Sequence, residues 1–160
     1  MSVTRFEDAC TVWYEDENGL LHREGGPAKL YYRGPVGVAE VDKFWYEHGV
    51  IHREDGPAIE YQNGDKFWYR NGAEHREDGP AVVYSDGSQF WFLNGELHRS
   101  DGPAIEYTDG TKFWYDYGLQ HREDGPAAIL STGEIQFFLD GCEVEEKDLA
   151  DVVQNQVWEA

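Results

Sequence analysis

The heptapeptide His-Arg-Glu-Asp-Gly-Pro-Ala stands at residues 52–58 and returns unchanged at 75–81 and 121–127. It stands again at 98–104 with Ser100 in place of Glu, and as HREGGPA at 22–28. The histidines at 52, 75, 98 and 121 are 23 residues apart each time. A period that strict means one supersecondary unit copied along the chain. A unit so short cannot bury an apolar face alone, so its stability must come from stacking on its own copies.

One copy, residues 66–89, reads KFWYRNGAEHREDGPAVVYSDGSQ. Phe67-Trp68-Tyr69 is a short β-prone run, and Asn71-Gly72 is the strongest two-residue hairpin signal available. A return strand runs toward His75. Glu77-Asp78-Gly79-Pro80 then breaks the ladder, because proline has no N–H to donate. Residues 81–84 make a further strand, and Asp86-Gly87 turns the chain into the next aromatic run. The turn dipeptides recur in register. His48-Gly49, Asn71-Gly72, Asn94-Gly95 and Tyr117-Gly118 mark one edge, and Asn63-Gly64, Asp86-Gly87, Asp109-Gly110 and Thr132-Gly133 the other. Glycine at this density would cost a helix about 1 kcal/mol each time. The expected fold class is therefore all-β: a single-layer meander or solenoid of ~23-residue β-hairpin repeats with a C-terminal capping helix. Two strands per repeat would space equivalent residues roughly 9–10 Å apart.

Residues 1–160 read as one repeat domain. Residues 1–12 form an N-terminal cap, in which Val3 and Phe6 would supply a short edge strand. Residues 13–141 hold five to six repeats, starting at Trp13, with an insert at 32–41 that contains GPVGVA. Residues 142–160 are expected to form an acidic helix. There Leu149, Val152, Val153 and Val157 share one helical face, while Glu145, Glu146 and Asp148 suit the positive end of the helix dipole. Such a helix would cover the last open strand, or dock a partner.

Hydrophobic residues are 40% of the chain, but 6 Trp, 10 Tyr and 8 Phe supply large buried areas. Thirteen Lys+Arg against 32 Asp+Glu give a net charge of −19, which argues against binding nucleic acid or anionic lipid directly. Cys10 and Cys142 lie far apart, no signal-peptide pattern follows Met1, and no apolar run reaches membrane-span length. A reduced, cytoplasmic setting is the expectation, which for a phage-encoded chain means a bacterial host cell.

The unit resembles the MORN repeat: about 23 residues, an aromatic strand, an Asn-Gly-type turn, a glycine-containing middle and an Asp-Gly close. It is more similar still to the variant repeats of bacterial antitoxin-like proteins and of HREDGPA-bearing phage and large-virus proteins. The resemblance covers about Trp13 to Gly141. It departs from the ordinary pattern by placing His-Arg and Asp-Gly-Pro where that pattern has Gly-x-Gly. It implies a scaffold and interaction surface, not an enzyme.

Five His-Arg pairs beside acidic loops invite a metal reading, but ligand bonds of about 2 Å need imidazoles to converge, and a regular sheet holds them roughly 9–10 Å apart. No phosphate loop, nucleophile elbow or Cys-His arrangement is present. Catalytic residues, metal and cofactor are therefore all expected to be none. His52, Arg53, His75, Arg76, His98, Arg99, His121 and Arg122 read as structural staples. Each arginine fork would bridge carboxylates and carbonyls of the neighbouring copy, and each histidine would bond backbone freed by the proline break. The candidate binding face is Trp45, Trp68, Trp91 and Trp114 with Tyr46, Tyr69, Phe92 and Tyr115, joined by Tyr32 and Val36 of the insert. These features point to a non-catalytic interaction module that binds and neutralises a protein partner, basic or itself nucleic-acid-binding, and they leave a homo-oligomer open. The competing readings are an acidic nucleic-acid mimic, a small-ligand or cation-binding protein, and a structural assembly component.

Overall fold

Asn71 and Gly72 both take positive φ, 52° and 85°, the type I′ geometry whose twist matches that of the flanking strands. The same pair of left-handed residues recurs at His48-Gly49, Asn94-Gly95, Tyr117-Gly118 and Asp140-Gly141. The computed structural model describes residues 2–33 and 41–149. Those residues form a 13-stranded antiparallel sheet whose strands pair in chain order, with four separate two-stranded hairpins between them. Thr4–Glu7, Thr11–Glu15, Lys29–Tyr32 and Val41–Phe44 open it. Each later repeat then adds two short strands, such as Ile59–Glu60 with Lys66–Phe67 and Val82–Val83 with Gln89–Phe90. Ile135–Leu139 and Cys142–Val144 close it.

The Phe-Trp-Tyr run is not one strand, as the sequence suggested. Phe67 ends a strand of the long sheet, and Tyr69–Arg70 begins a separate two-stranded hairpin with Ala73–Glu74. Trp68 sits at the join, its N–H donating to Ala81 O and its carbonyl accepting from His75 N–H. Trp45, Trp91 and Trp114 make the same pair of bonds. In the first copy the role falls to Tyr14, which bonds Ala28 O and His22 N–H, so Trp13 is not the equivalent tryptophan. Trp13 stacks on Phe6 of the edge strand instead, at 5.6 Å.

Register partners share a face of the sheet. Phe44, Ile59, Phe67, Val82, Phe90, Ile105 and Phe113 are matched one to the next on one side. Tyr61, Tyr84 and Tyr107 stand between these phenylalanines. The result is a continuous edge-to-face ladder from Phe44 to Phe113, with centroids 5.4–6.4 Å apart. This is the geometry aromatic quadrupoles favour. The opposite face carries Lys43, Glu60 and Lys66, with Lys43 Nζ 3.1 Å from Glu60.

Among the described residues no large side chain is fully buried. All five heptad alanines, Ala28, Ala58, Ala81, Ala104 and Ala127, are 0% exposed, as is Ala128 beside the last of them. Each heptad alanine lies where the chain leaves Pro and re-enters the sheet, its carbonyl bonded by the backbone N–H of a tryptophan or, for Ala28, of Tyr14. Only a methyl fits there. The aromatics expected to form the core are instead spread over the sheet: the phenylalanine–tyrosine ladder has Tyr84 and Tyr107 exposed, and Trp45, Trp68, Trp91 and Trp114 are half-buried.

Cys142–Val144 is a strand and the helix begins at 146, so the expected helix from 142 starts later. Residues 146–149 are helical. The face built on Val152, Val153 and Val157 lies outside the described residues, as does the middle of the insert, including Val36. The insert's ends, Tyr32 and Val41, face each other as register partners.

Candidate functional site

The heptad folds into a compact loop on the Lys43/Glu60 side of the sheet. Arg53 lies over the Trp45 ring, with its guanidinium carbon 4.0 Å from the centroid. Arg76, Arg99 and Arg122 cover Trp68, Trp91 and Trp114 at 4.0–4.3 Å, and Arg23 covers Tyr14 at 4.1 Å. The fork then turns into its own loop. Arg53 Nε donates to Asp55 at 2.8 Å, and one terminal nitrogen donates to Pro57 O at 3.0 Å and Glu60 at 3.1 Å. The arginines therefore do not bridge to the neighbouring copy through their side chains, as expected from the sequence. A fork tied to a residue two positions away reaches its partner without crossing between repeats. The glycine of the heptad makes room for this, because a Cβ at Gly56 would lie 2.9 Å from the Arg53 guanidinium carbon.

Contacts between copies are made by histidine instead. His52 Nδ1 accepts the Asn71 N–H, and His75, His98 and His121 accept those of Asn94, Tyr117 and Asp140, at 3.1–3.4 Å. Each histidine holds the type I′ turn of the next hairpin rather than backbone at the proline break. At Tyr117, a bulky residue at φ 41°, the ring also stacks on His98 at 4.1 Å. At the other edge, Asp42, Asp65 and Thr111 accept the N–H of Gln62, Ser85 and Ser131. Sequence reasoning missed this second row, although Asp42, Asp65, Ser88 and Thr111 keep the same 23-residue spacing. Tyr61, Tyr84 and Tyr107 were missed in the same way.

Successive loops enclose a row of grooves of about 360–660 Å³. Each is walled by the third to sixth heptad residues of one loop and by the Trp, His and Arg of the next, as with Glu77 to Pro80 against Trp91, His98 and Arg99. The tryptophans proposed for binding therefore line these grooves beneath their arginines. Tyr46, Tyr69, Phe92 and Tyr115 lie in the two-stranded hairpins, paired with Ile51, Glu74, Leu97 and Gln120. Burial and the Glu74 carboxylate, 2.5 Å away, push the Tyr69 phenol well above its usual value. Tyr32 stands apart at the insert.

The first unit differs from the rest. His48 Nδ1 bonds the buried Asp16 at 2.7 Å, and the His48 ring stacks on His22 at 4.2 Å. Asp16 is held below the ordinary carboxylate range by that bond first and by the Leu20 N–H next. Among the described residues no three His, Cys, Asp or Glu side chains are grouped to hold a metal ion, and no helix is long and apolar enough to cross a membrane.

Asp55, Asp78, Asp101 and Asp124 all titrate below the usual aspartate value, because an arginine Nε donates to each and its positive charge adds to the effect. A depressed folded-state value stabilises above the unfolded-state pKa and is lost as pH falls through the folded one. The protein is expected to keep its full melting temperature from neutrality down to about pH 4 and to lose stability below that. In an Asp55→Asn/Asp78→Asn/Asp101→Asn/Asp124→Asn variant, thermal melts across this range should show a shallower acid decline. An unchanged decline would place the acid sensitivity elsewhere. No protein-family profile and no curated protein matches this chain.

Proposed function

We propose that the chain is a non-catalytic interaction module of MORN-like type whose loop edge binds and neutralises a basic protein partner. The observation that carries this reading is the row of aspartates at the loop tips. Asp55, Asp78, Asp101 and Asp124 have side chains 81–84% exposed although each is bonded to an arginine. Glu54, Glu77 and Glu123 stand beside three of them, also exposed. The loops recur every two strands, roughly 9–10 Å. An α-helix rises about 10.5 Å over seven residues, so basic side chains at heptad spacing on a partner helix would meet successive loops. A duplex mimic would need charge about every 1.7 Å, a density this single row does not supply. The net charge of −19 raises the association rate with any basic partner.

The test is titration with a helical peptide that carries lysine at every seventh position, against the same composition scrambled. Binding should be strong at low salt, favour the heptad peptide and fall steeply as salt rises. A Glu54→Gln/Glu77→Gln/Glu123→Gln variant should bind at least tenfold more weakly with little change in melting temperature. Equal affinity for both peptides, or an unaffected variant, would refute the reading.

A further inference from the structure

Among the described residues, Arg23 is the heptad arginine that lacks the aspartate partner the other four have. Arg53, Arg76, Arg99 and Arg122 each place Nε on the aspartate two residues on, at 2.6–2.8 Å. In the first copy Gly25 occupies that position, and Leu30, like Val83 and Ile129 in two later copies, occupies the position of Glu60 and Glu106, which take a second bond from Arg53 and Arg99. Arg23 keeps only a long 3.4 Å bond to Pro27 O and its stack on Tyr14. Among the described residues no carboxylate pairs with it. A guanidinium matches a carboxylate through two parallel bonds, and here its fork is unmatched.

The neighbouring histidine gives an independent sign. His22 is 4% exposed. Its Nδ1 accepts the His48 N–H at 3.3 Å, so the neutral ring carries its proton on Nε2. That Nε2 is buried and has no hydrogen-bond partner, an arrangement native structures rarely leave unexplained. His22 and Arg23 line the same groove, of about 360 Å³, together with Trp45, His52 and Arg53. Two donors without acceptors in one groove need one acceptor group.

We propose that this groove binds a carboxylate supplied from outside the repeat, taking the place of the aspartate that Gly25 replaces. Arg23 holds it in bidentate fashion, the His22 Nε2–H is the second donor, and the Trp45 ring walls the hydrocarbon part of the acid. Glu24, Glu47 and Asp55 also line the groove, so phosphate and other polyanions are repelled more strongly than a single carboxylate. The acid is either a free small molecule or the C-terminal carboxylate of a peptide, and this site is separate from the loop tips that face a basic partner.

Titrations of ¹⁵N-histidine-labelled protein, followed by NMR at the His22 ring, test this with four probes: acetate, a short peptide with a free C-terminus, the same peptide amidated, and inorganic phosphate. Because Nε2 has no hydrogen-bond partner in the free protein, its resonance reports the arrival of an acceptor. A saturable shift with acetate in the millimolar range assigns a free acid. A shift at lower concentration with the free peptide but not the amidated one assigns a peptide terminus. Leu30→Glu restores the internal partner seen at Glu60 and should abolish the response; Arg23→Gln removes the fork and should do the same if Leu30→Glu folds poorly. No saturable shift with either carboxylate, an equal response to phosphate, or an undiminished response in a folded variant would overturn the proposal.

Discussion

Replacing Ala81 with leucine is expected to cost about 3 kcal/mol, the upper end for overpacking a filled site, and to split the single unfolding transition into two. Ala81 is 0% exposed, and its carbonyl accepts the Trp68 N–H at 2.7 Å. The added carbons have no solvent to enter without breaking that bond. In a stack of repeats, stability is approximately a sum of unit and nearest-neighbour terms. A misfit in a central copy therefore uncouples the copies on either side. Urea unfolding followed by fluorescence would show this. A leucine at half-buried Val83 on the same strand serves as the tolerated control and should cost well under half as much. A single unshifted transition in Ala81→Leu would show that the alanine row has room to spare.

Trp91→Ala should be nearly as severe, at about 3 kcal/mol. That is the low end for deleting a large aromatic ring, because Trp91 is half-buried. The ring supports Arg99 at 4.0 Å, and Arg99 in turn ties Asp101, Pro103 O and Glu106 into the loop. Removing the ring frees a whole loop as well as its own contacts. Trp91→Phe keeps a π face and should cost roughly 1 kcal/mol. A double-mutant cycle between Trp91→Ala and Arg99→Ala should give a coupling of about 1 kcal/mol. Strict additivity would mean the stack contributes nothing.

Both predictions fall on features that the sequence displays but does not explain. Alanine at the seventh heptad position is as regular as the histidine at its first, yet it was not expected to be the most buried residue. Burial was assigned by side-chain size, whereas the fold assigns it by position: the tightest space lies where the proline loop rejoins the sheet. The tryptophans were legible as a periodic row, but their place at the join between two ladders was not. That place depends on bonds to Ala81 O and His75 N–H, which lie within one repeat but across a turn. The turn residues were legible because Asn-Gly specifies its own dihedrals. The candidate site was legible in outline only. Its His and Arg residues were found, but their partners were misplaced, with arginine sent to the neighbouring copy and histidine to the proline break. The His22–His48–Asp16 contacts were not visible at all. They join residues 26 and 32 positions apart, across the insert.

What the sequence determined by itself is the all-β meander, its 23-residue step and its two rows of turns, because these follow from local dihedral preferences repeated in register. Tertiary structure decided which groups meet across copies. Each histidine reaches forward to the next turn, and each arginine folds back over its own tryptophan. Among the described residues, the first groove holds two donors, on His22 and Arg23, that the repeat leaves without the acceptors their counterparts have. Those outcomes depend on distances between strands that a periodic pattern spaces evenly but does not fill, so copies with nearly the same seven letters carry different unmet bonds.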